Sequence, residues 1–478
     1  MADSSTQVAV IGAGPGGYAA AFYAADRGMQ VTLIDPAPNP GGVCLYRGCI
    51  PSKALLHVAE VINEAKHAEA WGLSFKTLSI DLPKLRHFKE KVVAQLTGGL
   101  GQLSKQRKVT YVRGTAAFRD ARSLEITPEG DGQTAGGVLR FEHAIVATGS
   151  RPAGIPNLGL ESPRVMDSTA ALDLPDLPKS LLVVGGGYIG LELGSVYAAL
   201  GARVTVVEMT DGLLPGADRD LVNVLAKRVE KICEAVLLKT RVVGMKETPQ
   251  GVAVTFDGEG LGDAPRERTF DRVLVSVGRR PNSAIPGLDR TGVKVNARGF
   301  IEVDARRRTG EPTIFAIGDV VGEPMLAHKA SHEARVAVDA IAGERVAFEP
   351  LAIPAVVFTD PEIAWCGLTE TEAKNQKREV AVARYPWAAS GRALTLDRTD
   401  GATKLVLDPR SNRVLGVGIV GPGAGELIAE GVLAVEMGAT AEDLKLTIHP
   451  HPTLSETVME AAEVFFGQST HVYRPKRA

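Results

Sequence analysis

A chain of 478 residues with 45% hydrophobic residues can form about three domains and fill several hydrophobic cores. Its 54 basic and 56 acidic side chains give a formal net charge of -2. That balance excludes the strong surface fields that favour nucleic acid or an anionic membrane, so it favours small-molecule chemistry.

The first apolar run, residues 8–11, is interrupted at once by the glycine-rich residues 12–14. Neither the core of a signal peptide nor a membrane span fits there, so we predict a cytoplasmic protein with no membrane contact; a processed organellar enzyme is the lesser alternative. Four cysteines do not make a disulfide framework in a chain of this length. In a reducing compartment, a close pair of cysteines is more often catalytic or metal-binding.

Residues 8–35 follow the pattern of a strand, a tight turn, a helix and a second strand that ends in an acid. Gly12 permits the turn, Gly14 lets the backbone approach a pyrophosphate, and Gly17 lets helix and strand pack closely. Asp35 can accept a hydrogen bond from a ribose hydroxyl. The flanking pattern makes this a specific dinucleotide signal, although a purely structural glycine turn remains the alternative.

Cys44 and Cys49 enclose four residues and lie shortly after this first dinucleotide motif. Beside a nucleotide, such a pair is typical of a redox-active disulfide whose reduced thiolate is the nucleophile. A zinc site would need two further ligands, and neither Cys233 nor Cys366 has the required spacing. A pair of structural thiols is the other alternative, and we interpret Cys233 and Cys366 as buried small hydrophobes.

A second dinucleotide motif occupies residues 181–208. Its glycines are Gly185, Gly187 and Gly190. From Gly190 to Glu208 is 18 residues, the same spacing as from Gly17 to Asp35, which predicts two domains of similar build. A carboxylate at Glu208 can bind a free ribose 2′-hydroxyl but repels a 2′-phosphate, so NAD is favoured over NADP. The alternative is that Glu208 only solvates the end of a strand.

Three further apolar strands end in glycine and a polar residue, at residues 144–152, 273–282 and 313–319. Strands that end in this way place ligands at the carboxyl edge of a parallel sheet. Asp319 could bind a flavin hydroxyl there, or it could cap the following helix. We expect the chain to cross back to the first domain near residue 282.

The C-terminal part combines alternating strands with a histidine motif. Residues 402–407 and 414–420 alternate as antiparallel strands do, which predicts an α+β domain from about residue 350. Near its end, His451 stands five residues before Glu456, close to His449. A carboxylate that orients one ring nitrogen leaves the other free to take a proton, so His451 is a candidate base for thiol chemistry; surface histidines are the alternative.

From residue 8 to about residue 466, the chain resembles the dihydrolipoamide dehydrogenases, a family within the pyridine nucleotide-disulfide oxidoreductases. The most specific stretches are residues 41–53, 325–328, 365–370, 425–428 and 451–456. The resemblance implies that Cys49 faces the flavin of FAD and that Cys44 exchanges with substrate. It also implies a homodimer in which His451, polarised by Glu456, reaches the cysteines of the partner subunit.

The same resemblance implies the cofactor-binding residues and the domain order. For FAD and NAD these residues are Gly12, Gly14, Gly17, Asp35, Lys53, Ala116, Asp319, Ala327, Gly185, Gly187, Gly190, Glu192, Glu208 and Gly278. Lys53 and Glu192 would lie by the flavin. The fold class is α/β: two Rossmann-like domains and a C-terminal α+β dimerisation domain. The boundaries are 1–150 for FAD, 151–281 for NAD, 282–350 for a central segment and 351–478 for dimerisation.

The implied substrate is the dihydrolipoyl group of a lipoyl protein. Alternatives are a related flavoprotein disulfide reductase with another thiol substrate, or a non-catalytic flavoprotein subunit. The acid at Glu208 disfavours the NADPH-dependent glutathione-type reductases, and the cysteine pair disfavours the soluble transhydrogenases. Tyr46 and Arg47 replace the family's usual asparagine and valine. We hypothesise that Arg47 lowers the pKa of a reduced thiol or favours an anionic substrate; a solvated arginine is the alternative.

Overall fold

The computed structural model describes residues 4–75, 78–129, 136–155 and 158–473. The first segment contains strands β1 (Ser4–Ile11), β2 (Val31–Asp35), β3 (Thr110–Asp120), β4 (Ser123–Pro128), β5 (Gly137–Val146) and β6 (Ser150–Pro152), and helices α1 (Pro15–Asp26), α2 (Gly42–Arg47), α3 (Cys49–His67) and α4 (Leu82–Gln106). Strands β3, β2, β1 and β5 are adjacent and parallel. Every residue of β2 is buried, as expected for a parallel strand covered on both faces.

The second segment forms another parallel sheet. Its elements are β7 (Val165–Met166), α5 (Ser168–Leu172), β8 (Ser180–Val184), α6 (Tyr188–Ala199), β9 (Arg203–Val207), α7 (Arg219–Ile232), β10 (Ala235–Leu237), β11 (Thr240–Thr248), β12 (Gly251–Gly258), β13 (Glu267–Phe270), β14 (Arg272–Val275) and β15 (Arg279–Pro281). The parallel sheet has the order β10-β9-β8-β14-β7. Strands β11, β12 and β13 form a separate antiparallel sheet.

The chain then returns to the first sheet. Strand β15 pairs antiparallel with β6, so the two crossings between the sheets lie side by side. Strand β16 (Ile314–Ala316) adds to β5 in parallel, and helix α8 (Ala327–Ile341) packs on α1. The boundaries at residues 150, 281 and 350 stay a prediction.

The last segment is an antiparallel sheet with helices. It contains β17 (Ala355–Val357), β18 (Ile363–Gly367), α9 (Glu370–Asn375), β19 (Ala381–Pro386), α10 (Gly391–Thr395), β20 (Ala402–Leu407), β21 (Val414–Val420), α11 (Ala424–Glu436), α12 (Ala441–Leu446) and α13 (Glu456–Phe466). The strand order is β17-β18-β21-β20-β19. Both predicted strands, 402–407 and 414–420, are present, and the predicted fold class is confirmed.

One hydrophobic cluster contains residues from all three parts of the chain. It includes Leu55 of α3, Leu191 of α6 and Ile363 of β18, all almost completely buried. The cysteine-bearing helix α3, the second-motif helix α6 and the last antiparallel sheet therefore pack against one another. Among the described residues, no helix is long and apolar enough to cross a membrane.

Candidate active site

The first glycine motif has the backbone geometry that requires glycine. Gly12 has a φ of +95°, and a Cβ there would lie 2.4 Å from the carbonyl oxygen of Ala147. A Cβ on Gly17 would lie 1.8 Å from the Gly12 oxygen, so a side chain would separate helix α1 from its strand. Gly14 is the N-cap of α1, whose N-terminal amides therefore face the end of β1.

The second motif repeats this arrangement. Gly185 has a φ of +110°, and a Cβ on Gly190 would lie 2.2 Å from its oxygen. Gly187 is the N-cap of α6, as Gly14 is of α1. Gly278 also has a positive φ, +118°, in the link between the neighbouring strand β14 and β15. Both motifs thus present a helix N-terminus at the carboxyl edge of a parallel sheet.

The two acids that end the second strand of each motif are bound alike. Asp35 accepts hydrogen bonds from the amides of Ala13, at 2.7 Å, and Ala37, at 2.9 Å. Glu208 accepts from the amides of Gly186 and Thr210, each at 2.8 Å. Each carboxylate oxygen uses one of its acceptor positions, which leaves further positions for ribose hydroxyls.

A cavity of about 570 Å³ brings residues of both motifs together. The predicted site residues that line it are Gly12, Gly14, Asp35, Cys44, Cys49, Lys53, Glu192, Asp319 and Ala327. Other predicted residues are not part of its wall. Ala116 lies in β3 and packs against a hydrophobic cluster, while Glu208 and the glycines of the second motif lie at the edge of the other sheet.

The cysteines stand on two consecutive helices. Cys44 is in α2, and Cys49 begins α3 after the single linking residue Gly48. Both are free thiols, and the hydrogen bond from Cys44 lowers the pKa of Cys49 to about 7; the charge of Lys53 acts in the same direction, against the effect of burial. The same hydrogen bond raises the pKa of Cys44. When the pair is reduced, Cys49 is therefore the first of the two thiols to be deprotonated.

A charged pair lies beside the cysteines. The Lys53 ammonium is 2.8 Å from Glu192 Oε2, and the Glu192 side chain is almost fully buried. The other oxygen, Oε1, accepts a 3.0 Å hydrogen bond from the Phe358 amide. The Phe358 ring lies under the Lys53 ammonium, 4.3 Å from its centroid. Sequence reasoning proposed Lys53 and Glu192 but missed Phe358, which has no local motif that would identify it.

Asp319 belongs to a hydrogen-bonded chain at the crossing between the two sheets. Its carboxylate accepts from the Ser150 hydroxyl at 2.5 Å, and that hydroxyl accepts from Arg279 Nε at 2.7 Å. Ser150 and Arg279 also line the cavity. Both stand at strand ends that the sequence analysis identified, without being named as site residues.

His451 and Glu456 contact each other but do not line the cavity that contains the cysteines of their own chain. His451 Nδ1 is 2.9 Å from Glu456 Oε1, and Glu456 Oε2 accepts from the Thr453 amide at 2.8 Å. Although partial burial acts to raise it, these contacts hold the pKa of Glu456 below its usual value. The His451 ring is 74% exposed and is not among the described residues that line the cavity.

The two unusual residues of the cysteine loop differ in their surroundings. The Tyr46 hydroxyl donates to the carbonyl oxygen of Asn39 at 3.0 Å and accepts from the Asn39 amide at 3.2 Å. Arg47 is exposed and lines the cavity. The cation that acts on both cysteines is Lys53. The hypothesis that Arg47 tunes a thiol stays a prediction.

Family models match nearly the whole chain. Residues 6–334 match the pyridine nucleotide-disulphide oxidoreductase model, and residues 353–462 match the dimerisation domain of the same group. The chain belongs to the pyridine nucleotide-disulphide oxidoreductase family. The cavity with its glycine motif and cysteine pair lies within the first match, and the His451–Glu456 pair lies within the dimerisation match of this family.

Several curated members of the family are similar over their full length. A dihydrolipoyl dehydrogenase of Haemophilus influenzae is 49% identical over 471 residues, which cover 98% of this chain and 97% of the relative. Dihydrolipoyl dehydrogenases of Geobacillus stearothermophilus and Haloferax volcanii are each 47% identical, again with 98% of this chain covered and 97% and 98% of theirs.

Solved structures in the family share the fold. LpdA from Mycobacterium tuberculosis has a TM-score of 0.87 at 29% identity, with 96% of this chain and 99% of that chain covered. The HOCl-induced flavoprotein disulfide reductase RclA from Escherichia coli has a TM-score of 0.83 at 27% identity, with 96% and 99% covered. The similar proteins thus include both dihydrolipoyl dehydrogenases and a flavoprotein disulfide reductase. The shared fold alone therefore does not identify the substrate.

Proposed function

We propose that this protein is an FAD-dependent dihydrolipoyl dehydrogenase that oxidises protein-bound dihydrolipoyl groups and reduces NAD+ to NADH. The observation that carries the proposal is the cysteine pair in the wall of a dinucleotide-sized cavity, beside the Lys53–Glu192 pair. The curated dihydrolipoyl dehydrogenases at 47% to 49% identity support the substrate class.

The residues of the first motif fit FAD. The cavity has glycines where the backbone must approach a pyrophosphate, the N-terminus of α1 beside them, and Asp35 where a ribose would lie. When bound, FAD supplies a relay for two electrons between the thiols and NAD+. We assign Gly12, Gly14, Gly17, Asp35, Lys53, Ala116, Glu192, Asp319 and Ala327 to this site.

The residues of the second motif fit NAD. The N-terminus of α6 offers amides to the pyrophosphate, and the buried Glu208 carboxylate offers acceptors to both ribose hydroxyls. A 2′-phosphate would meet that carboxylate and be repelled. We assign Gly185, Gly187, Gly190, Glu208 and Gly278 to this site.

The cysteines perform the exchange with substrate. One thiolate of the dihydrolipoyl group attacks Cys44 of the Cys44–Cys49 disulfide, which releases Cys49 as a thiolate. The second substrate thiol then displaces Cys44, closes the lipoyl disulfide and leaves both cysteines reduced. The depressed pKa of Cys49, about 7, suits it as the leaving thiolate, which then remains beside Lys53.

His451 acts as the general base and acid of the thiol exchange. Because Glu456 accepts from Nδ1, the Nε2 atom is free to take a proton from the attacking thiol and to return it to Cys44. Because the histidine does not line the cavity that contains the cysteines of its own chain, we propose a homodimer in which His451 of the partner subunit serves each cysteine pair. The partner protein would be a lipoyl domain, and the location cytoplasmic.

The test is the steady-state reduction of NAD+ by dihydrolipoamide, compared with NADP+ as acceptor and glutathione as donor. We expect turnover that depends on dihydrolipoamide and NAD+, with ping-pong kinetics because covalent exchange precedes NAD+ reduction. The variant Cys44→Ser should keep its flavin absorbance and lose turnover. A yellow protein that accepts electrons from NADH but ignores lipoamide would refute the substrate assignment and leave the redox assignment in place.

A further inference from the structure

The Lys53 ammonium lies where the three parts of the chain meet. Lys53 stands on α3 of the first sheet's domain, Glu192 on α6 of the second, and Phe358 directly after β17 in the dimerisation segment. The ammonium contacts the Glu192 carboxylate at 2.8 Å and the face of the Phe358 ring at 4.3 Å. Its position therefore depends on a residue outside both nucleotide-binding segments.

The Phe358 ring is itself held in place. The amide of Phe358 donates to Glu192 Oε1 at 3.0 Å, so the same carboxylate fixes the phenylalanine backbone and the lysine. On the other side the ring approaches Gly425 in the first turn of α11, where an added Cβ would lie 3.6 Å from ring carbon Cε1. A contact at that distance is ordinary van der Waals packing, so the ring lies against the first turn of α11.

A lysine without such contacts would not keep one position. Its four-carbon stem is flexible, and the Lys53 side chain is one third exposed. The buried Glu192 carboxylate attracts the ammonium from one direction, and the negative face of an aromatic ring attracts it from another. The two contacts together restrict the ammonium more than the ion pair alone would.

We propose that Phe358 is a positioning residue that holds the Lys53 ammonium where its charge acts on the Cys49 thiolate. The dimerisation segment thereby sets the electrostatics of the redox centre through a contact within one chain. This inference rests on the proposed redox role of the Cys44–Cys49 pair.

The charged and titratable groups that face Cys49 determine whether its pKa rises or falls when Lys53 moves. They are Cys44 on α2, Lys53 on α3, Glu192 and Tyr188 on α6, and Tyr18 on α1. Lys53 is the one cation in this described set, and it lowers the pKa of Cys49, whereas Glu192 raises it. If Lys53 pivots away, the thiolate loses its cation and the pKa of Cys49 rises.

The experiment titrates the two-electron-reduced holoenzyme with pH and follows the long-wavelength absorbance of the thiolate against the flavin. In Phe358→Leu we expect the midpoint to rise by about half a pH unit, which is a factor of about three in the acid dissociation constant. Phe358→Tyr keeps the aromatic face and should restore the wild-type midpoint. If the leucine variant does not retain FAD, Phe358→Met removes the ring with a flexible side chain of similar volume.

Phe348→Leu is the matched control. Phe348 is also half-buried and lies under a cation, with the Arg307 guanidinium 5.0 Å from its centroid, but it does not contact Lys53. The titration midpoint of Phe348→Leu should equal that of the wild type. Coincident titrations of wild type and Phe358→Leu, or an equal shift in Phe348→Leu, would overturn the positioning role. Dihydrolipoamide turnover of the wild type, measured on the same preparation, separates that result from a failure of the proposed function.

Discussion

The Glu456 carboxylate divides its two oxygens between two donors. One oxygen faces His451 Nδ1 and the other accepts from the amide of Thr453 in the turn before α13. This arrangement fixes the imidazole tautomer, because a carboxylate can only accept and Nδ1 must therefore carry the hydrogen. The free nitrogen is then Nε2, on the exposed side of the ring.

The variant Glu456→Gln tests whether catalysis depends on the imidazole tautomer that has its hydrogen on Nδ1. If the amide oxygen keeps the Thr453 contact, its NH2 group faces Nδ1, and the ring carries its hydrogen on Nε2, where no proton can be taken. We expect the kcat for dihydrolipoamide oxidation to fall at least tenfold, within the roughly 100- to 10,000-fold contribution of general acid–base catalysis. Steady-state kinetics at saturating NAD+ measures this, and FAD content should not change.

Glu442→Gln is the control for loss of a nearby charge. Glu442 is an exposed residue in the first turn of α12. Its substitution should leave kcat within a factor of two of the wild type, since surface changes are usually small. Equal losses in both variants would mean that net charge, rather than the histidine contact, determines the rate.

At the scale of elements, the loop after β2 is bound by three side chains from two neighbouring elements, α2 and β3. Tyr46 of α2 contacts both backbone groups of Asn39, Tyr111 of β3 donates to the carbonyl oxygen of Ala37 at 2.8 Å, and Arg113 donates to that of Pro36 at 3.2 Å. This loop follows Asp35 and lines the cavity. The unusual tyrosine thus joins the cysteine helix to the wall of the proposed FAD site.

Tyr46→Phe removes both hydrogen bonds to Asn39 and keeps the ring. Because each net hydrogen bond contributes about 0.5–1.5 kcal/mol, we expect the dissociation constant for FAD to rise about 5- to 100-fold. The recovery of free-flavin fluorescence on dilution measures it. Tyr23→Phe, whose hydroxyl contacts Asp339 on the far side of α1, is the control and should bind FAD as the wild type does. An unchanged affinity in Tyr46→Phe would show that α2 does not hold this loop.

At the scale of the whole molecule, a buried ammonium joins the NAD segment to the dimerisation sheet. Lys404 of β20 is 2% exposed and contacts Asp218 at 2.7 Å, Asp220 at 2.8 Å and Glu370 at 2.9 Å. Asp218 also accepts from the amides of Glu370 and Thr371 at the start of α9. Arg384 also contacts Asp220 and Glu370, so two cations compensate three carboxylates that come from two segments.

Local patterns explain which features the sequence could predict. Glycines at fixed spacing, a close cysteine pair and alternating strands such as β20 and β21 are each defined within a few consecutive residues. The contacts of Phe358, Tyr46 and Lys404 could not be predicted, because each joins residues whose meeting depends on tertiary packing and leaves no local period. The departure at Tyr46 was visible in the sequence, but its partner Asn39 was not.

Lys404→Met leaves three carboxylates within 4.8 Å of one another. Arg384 still contacts Asp220 and Glu370, but the buried Asp218 loses its ammonium partner. Because an uncompensated buried charge is costly, we expect the free energy of unfolding at pH 7 to fall by about 3–5 kcal/mol, seen as a lower urea midpoint. The control Lys84→Met removes an exposed lysine beside Asp81 and should change the free energy of unfolding by less than about 1 kcal/mol.

The pH dependence of the urea midpoint should differ in sign between wild type and Lys404→Met. In the wild type, despite burial, the Lys404 and Thr371 contacts lower the pKa of Asp218 to about 2, so its stabilising contribution is present above about pH 4 and is lost as the pH falls toward 2. In Lys404→Met the carboxylates repel one another and protonation relieves that repulsion. Its midpoint should therefore rise between pH 7 and 5, while the wild-type midpoint does not. A parallel dependence in both proteins would mean that Lys404 does not compensate this cluster.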